Sequence, residues 1–115
     1  MILDFPQSSH SSADELATSA LQLAALGSET RLGLFRLLVV AGEEGMNTGL
    51  ISEKLKIAGS TLNHHLATLE TAGLIERLKE GRNIRCRVRG RSMHNLVEYL
   101  TRNCCCEIHG ETYHG

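Results

Sequence analysis

The side chains best suited to chemistry in this 115-residue sequence fall in two places. Cys104, Cys105 and Cys106 are consecutive near its end, and Cys86 stands alone. Adjacent Cα atoms lie about 3.8 Å apart, whereas disulfides usually span roughly 4.4–6.8 Å, so a bridge between neighbours would be strained. The thiols are read as reduced. No Cys-x-x-Cys pair occurs, and no Ser or Cys is spaced with His and an acid as a triad, so catalysis has little support and no catalytic cofactor is expected. The second place is basic. Arg77, Lys79, Arg82, Arg85, Arg87, Arg89 and Arg91 are seven of the 12 Lys and Arg residues, and Glu80 is the one acid among them. That window carries +6 and the remainder −7, so a net charge of −1 conceals a localised basic footprint.

The elements that must position these groups follow from length and punctuation. The length suits one domain, and 42% hydrophobic with 22% charged residues is a globular composition. The longest apolar stretch, Leu32 to Ala41, is interrupted by Arg36 and is half what a bilayer span needs. Met1–Gln7 has Asp4 and no basic start, which argues against a secretory leader; the expected location is the cytoplasm, with no membrane partner.

Ser12 and Glu15 form a capping box that opens a helix to about Leu26. Leu16, Ala17, Ala20, Leu21, Leu23 and Ala24 give it more apolar surface than one solvent-facing helix needs, which points to a partner. A second helix follows Ser28, with Leu34, Phe35, Leu37, Leu38 and Ala41, and a short third follows Asn47 and Thr48. The turn Lys56-Ile57-Ala58-Gly59 leads to a fourth helix, capped by Ser60, whose buried stripe is Leu62, Leu66 and Leu69. Leu74–Lys79 and Ile84–Arg89 read as strands, and Cys86 alternates with Ile84 and Val88 as a core residue. A last helix begins near Ser92 with Met93, Leu96, Val97 and Leu100 on one face; continued by i+4 steps, that stripe reaches Cys104. Residues 12–106 are the expected domain, flanked by flexible tails over 1–11 and 107–115.

This order is that of a winged helix-turn-helix: mainly α, with a small β-hairpin as the wing. In such a fold the second helix of the motif buries one stripe and offers the other to the DNA major groove. The offered face carries Ser60, Thr61, Asn63, His64 and Thr68, all short or planar hydrogen-bonding groups able to reach base edges. The wing supplies the charge, with Arg82 and Asn83 at its tip and Arg85 beside them. His65, next to Leu66, is expected to be structural. The expected partner is double-stranded operator DNA.

Three stretches carry a family resemblance: Ala25-Leu26-Gly27-Ser28-Glu29-Thr30-Arg31-Leu32, Ser60-Thr61-Leu62-Asn63-His64-His65-Leu66-Ala67-Thr68-Leu69, and Ala72-Gly73-Leu74-Ile75 with Glu80-Gly81-Arg82. With these, residues 15–105 resemble the ArsR/SmtB family of metal- and metalloid-responsive repressors. The resemblance implies a homodimer through the first and last helices, bound to a palindromic operator and released by an inducer. Some members bind arsenite through Cys-x-Cys in the first helix of the motif, but Leu50–Leu55 contains no cysteine. Other arsenical repressors end the last helix in Asn-Cys-Cys, as Asn103-Cys104-Cys105 does here.

Cysteines at a helix C-terminus are poorly placed to be activated nucleophiles, since the dipole disfavours thiolate and only Arg102 lies near to offset it. A soft ion that displaces thiol protons suits them better. Trivalent arsenic or antimony takes up to three thiolates, and methylated arsenic two, so Cys104, Cys105 and Cys106 are the expected ligands of an inducer. The third ligand is left open among Cys106, Cys86, solvent and a methyl carbon. Zinc or cadmium, completed by His109 or His114, is an alternative, as are thiol oxidation or persulfide sensing. A thiol redox enzyme or a metal-buffering protein ranks below these.

Overall fold

The computed structural model describes residues 12–104. The tails over 1–11 and 107–115, together with Cys105 and Cys106, lie outside them. In chain order come α1 (Ser12–Leu26), α2 (Glu29–Ala41), a 3-10 turn (Gly42–Glu44), β1 (Met46–Asn47), α3 (Thr48–Leu55), α4 (Gly59–Thr71), β2 (Ile75–Glu80), β3 (Asn83–Val88) and α5 (Gly90–Thr101). The chain is mainly helical with a small antiparallel sheet, as expected from the sequence.

Two helix starts follow directly from side-chain caps. Ser28 Oγ accepts from the Arg31 N–H at 3.3 Å, and Asn47 Oδ1 accepts from the Leu50 N–H at 2.8 Å. The start of α4 differs from expectation. Its cap position is Ala58, with no side-chain cap, so Ser60 lies inside the first turn and not ahead of it. The turn is made one step earlier, by Lys56 in a left-handed conformation (φ 57, ψ 48). A non-glycine residue there costs about 1–2 kcal/mol. Ser52 offsets it by holding both ends of Ile57: its carbonyl accepts the Ile57 N–H at 3.1 Å, and its hydroxyl donates to the Ile57 carbonyl.

β2 and β3 form a hairpin whose register runs from Ile75↔Val88 to Glu80↔Asn83. Gly81 has φ 63 and Arg82 is not left-handed, the pattern of a type II′ turn that matches strand twist. A third strand, β1, pairs Met46 with Cys86 and Asn47 with Arg85, giving the order β1-β3-β2. It is too short to show a period. Its approach depends on Gly45 (φ 68), where any Cβ would collide with the Cys86 carbonyl oxygen. That contact pins the wing to the start of α3.

The core gathers Leu34 and Leu38 of α2, Ile51 of α3, the Leu62/Leu66/Leu69 stripe of α4, then Leu74, Ile75 and Cys86. All of these are fully buried. α1 joins the core with a polar edge: Ser19, Gln22 and Ala25 are buried, and Gln22 Nε2 donates to the Ala72 carbonyl at 3.2 Å. Three of its four leucines therefore point the other way, while Leu26 packs against the core. Leu16, Leu21 and Leu23 are exposed, as are Val97 and Leu100 of α5, while Leu96 is buried. The apolar face expected of the last helix is thus split, with half in the core and half on the surface.

Candidate nucleic-acid interface and thiol segment

Burying Leu62, Leu66 and Leu69 turns Ser60, Thr61, Asn63 and His64 outward, and all four are exposed. Ser60, His64 and Thr68 follow one another at i+4 spacing, so they form one ridge along α4. Thr68 is half-buried and its hydroxyl donates to the His64 carbonyl at 3.1 Å, leaving it less to offer a base than the others. No side chain caps α4, so the first N–H groups of the helix have no side-chain partner there.

His65 is half-buried behind this ridge, 3.5 Å from Arg31 Nη1 through Nδ1. Burial, then the Arg31 cation and His64, hold its pKa below the usual histidine value, which favours the neutral ring as acceptor of a hydrogen bond from the guanidinium. Arg31 Nε meanwhile donates to the Ala25 carbonyl at 2.6 Å, at the end of α1. One arginine therefore joins α1, α2 and α4. Its position three residues after the capping Ser28 is the signal that could have singled it out.

The wing is less bare than its composition suggests. Arg77 binds Glu70 at 2.7 Å, Arg87 binds Glu76 at 2.6 Å and Arg85 binds Glu80 at 3.0 Å. Arg85 and Arg87 also donate to the Glu44 and Glu43 carbonyls. Glu70 and Glu76 lie just outside the basic window, so a count along the chain missed them. Arg85, a candidate for DNA contact, is held along the hairpin. Among the described residues Lys79, Arg82, Arg89 and Arg91 form no ion pair within the salt-bridge distance, and Arg82 and Asn83 are exposed at the tip.

α5 ends at Thr101, so Cys104 does not extend its helical face. Arg102 (φ −59, ψ 133) and left-handed Asn103 (φ 60) form a type II turn, closed by the Cys104 N–H on the Thr101 carbonyl at 3.0 Å. Asn tolerates that left-handed site, which explains the stop. Cys104 is exposed just beyond it. Arg102 is not available to offset thiolate charge: its guanidinium forks onto Glu15 at 2.9 and 2.9 Å and reaches Glu98 at 2.7 Å. Both carboxylates push its pKa further up, and the same contact holds Glu98 below the usual carboxylate range. Cys86 is a core residue, its thiol pushed up to about 11 chiefly by burial. Among the described residues no group of three or more His, Cys, Asp or Glu is placed to hold a metal ion. Cys105 and Cys106, the other two expected ligands, lie outside the described residues.

Residues 26–77 match the model of a helix-turn-helix domain family. Over 60 residues the chain is 40% identical to a Halobacterium salinarum protein named as an arsenical resistance operon repressor, covering 52% of this chain and 46% of that one. It superposes on an ArsR-like transcriptional regulator from Rhodococcus with TM-score 0.68 and 29% identity, over 77% of this chain and 81% of the other. The chain is similar to ArsR-family regulators in sequence and fold. A homodimeric winged helix-turn-helix DNA-binding domain from Mycobacterium bovis shares the fold at TM-score 0.64 and 21% identity, over 96% and 98% of the two chains. The proteins it resembles at higher identity are named as transcriptional regulators. The chain spans about half the length of the curated relatives it matches. No helix among the described residues is long and apolar enough to cross a membrane.

Proposed function

We propose that the chain is a homodimeric repressor that binds a palindromic operator and is released by trivalent arsenic or antimony, inorganic or methylated. Cys104, Cys105 and Cys106 are the inducer's ligands in this reading. The observation that carries it is the exposed Cys104, set directly after the turn that ends α5 and the first of three consecutive cysteines in the sequence. A C-terminal helix end gives these thiols no activation for nucleophilic work, whereas a soft ion displaces their protons itself. The arsenical operon repressor named among the relatives supports the same class of inducer.

DNA contact is supported by the exposed ridge of α4, its uncapped first turn and the Arg82–Asn83 tip, which together can read base edges and hold backbone phosphates. Dimerisation is supported by the outward face of α1 and α5. Leu16 is 60% exposed, and Val97 and Leu100 55% each. Covering such half-exposed side chains yields about 1 kcal/mol apiece, and a two-fold interface doubles the sum.

The test is a fluorescence-anisotropy titration of a duplex selected from a random pool by the unliganded chain, with arsenite, methylarsenite, antimonite, zinc or peroxide added. Release by the arsenicals and antimonite at stoichiometric concentration is expected. Release by zinc or by peroxide alone would move the sensor to the corresponding alternative. Failure to select any sequence would remove the DNA-binding reading.

A further inference from the structure

At the base of the wing an open cavity of about 790 Å³ lies between the last turn of α2, the end of β3 and the start of α5. That volume is within the roughly 300–1,000 Å³ of small-molecule sites. Its floor is apolar, formed by Leu38 and Val39 of α2, Val88 of β3 and Met93 of α5. Leu38 is fully buried, while the other three pack against the core and stay partly exposed. Its rim is cationic, with Arg87, Arg89 and Arg91 along it. The backbone that carries Arg89 is fixed: its N–H donates to the Leu74 carbonyl at 2.8 Å, and its carbonyl accepts the Met93 N–H at 3.1 Å.

The three arginines are not equivalent. Arg87 is committed to Glu76 at 2.6 Å and to the Glu43 carbonyl. Arg89 and Arg91 are exposed and form no ion pair among the described residues. Nor do they belong to the tip of the wing. Arg89 follows Asn83 by six residues, about 20 Å at roughly 3.3 Å per strand residue. Free cations beside hydrocarbon surface select a ligand with an anionic head and an apolar body, and a guanidinium fork matches the two oxygens of a carboxylate. A polyanion fits less well: Glu43 and Glu76 stand on the same rim, and three arginines against two carboxylates leave a single net positive charge.

We infer that this cavity is a binding site for a small organic monocarboxylate, an aliphatic or aromatic acid. Its carboxylate sits on Arg89 and Arg91, and its apolar body lies on Val39, Val88 and Met93. No cysteine takes part, nor does any residue of the α4 ridge or of the Arg82–Asn83 tip.

The experiment titrates the isotope-labelled full chain with sodium hexanoate, sodium octanoate, hexan-1-ol and inorganic phosphate, following backbone and methyl signals by NMR. Octanoate is expected to saturate, to shift the Val39, Val88 and Met93 methyls, and to bind at least 5-fold tighter than hexanoate through its two extra methylenes. Hexanoate should in turn bind at least 5-fold tighter than hexan-1-ol, which lacks the charge, and than phosphate, which lacks the apolar body. The double variant Arg89→Gln with Arg91→Gln should lose at least 10-fold for octanoate, and Arg82→Gln at the wing tip less than 2-fold. Both arginines are exposed, so the variant keeps the core that gives the fold its signals. Phosphate bound as tightly as octanoate would reduce the site to a simple anion patch and overturn the inference. Shifts that fail to saturate, or that centre on the exposed leucines of α1, would overturn it as detergent-like adsorption. Unchanged octanoate binding by the double variant, with the salt slope of its binding to the selected duplex reduced by about two, would overturn it by assigning these arginines to DNA phosphates.

Discussion

Replacing Gly45 by alanine should cost far more than the same change at Gly42, although the two share one backbone conformation. Gly42 has φ 74 and ψ −156, and Gly45 has φ 68 and ψ −156. In this region, almost exclusive to glycine, a Cβ costs about 1–3 kcal/mol. The surroundings then separate them. A Cβ at Gly42 meets nothing within 4 Å, whereas one at Gly45 runs into the Cys86 carbonyl oxygen and lies 2.9 Å from Arg87 Cβ. That carbonyl belongs to the central strand and cannot move aside without parting β1 from β3 at the Met46↔Cys86 pair. Losing two such backbone hydrogen bonds adds about 2 kcal/mol. Gly42→Ala should therefore cost about 2 kcal/mol and Gly45→Ala about 4. At roughly 4–8 °C per kcal/mol for a domain of this size, the two midpoints should differ by about 10 °C. Thermal unfolding followed by circular dichroism reads this directly. Only Gly45→Ala should also weaken duplex binding at temperatures where both variants are folded, because only it frees the wing from α3. Equal midpoints for the two variants would refute the claim that a close approach at Gly45, and not merely its φ, fixes the wing.

Other substitutions and conditions test separate parts of the account. Leu23→Glu on the exposed face of α1 should halve the mass seen by light scattering and abolish tight duplex binding while leaving the helical signal intact; an unchanged mass would place the dimer contact elsewhere. Arg82→Ala should weaken binding to all sequences and reduce the salt slope by about one, whereas Arg85→Ala, already bound to Glu80, should change the slope less. Asn63→Ala should relax preference at one base position by about 1–3 kcal/mol. Cys86 should resist alkylation at pH 8 until the protein unfolds. Its raised pKa means that the unfolded thiol ionises first, near 9, while the folded one holds its proton to about 11. Stability should thus be unaffected by this group below pH 9 and fall between 9 and about 11, and Cys86→Ala should remove that component of the decline.

The main elements were visible in the sequence because each rests on a local signal. Ser28 and Asn47 sit where caps are needed, the α4 stripe has unbroken helical spacing, and the wing alternates around a glycine turn. What was not visible depends on pairings distant in the chain. β1 is two residues long and exists only because Gly45 admits a neighbouring strand. The acids that pair with wing arginines include Glu70, which belongs to α4, and Glu76, one residue outside the basic window. Arg102 is adjacent to the thiols in sequence, yet its partner Glu15 lies 87 positions away. The end of α5 is not legible from spacing, because the i+4 progression through Leu100 to Cys104 continues past the point where Asn103 turns left-handed. Periodicity shows where a helix is permitted; the turn residue decides where it stops.

The central claim is that one surface binds DNA and that the thiol segment governs it. The measurement that bears on it most directly is the dissociation constant of the selected duplex, with and without saturating arsenite, for wild type, Cys104→Ser and Cys105→Ser. The account predicts at least a 5-fold loss of affinity in wild type, and in both variants unliganded affinity like wild type with no loss on adding arsenite. Release of wild type and both variants to the same extent would contradict it.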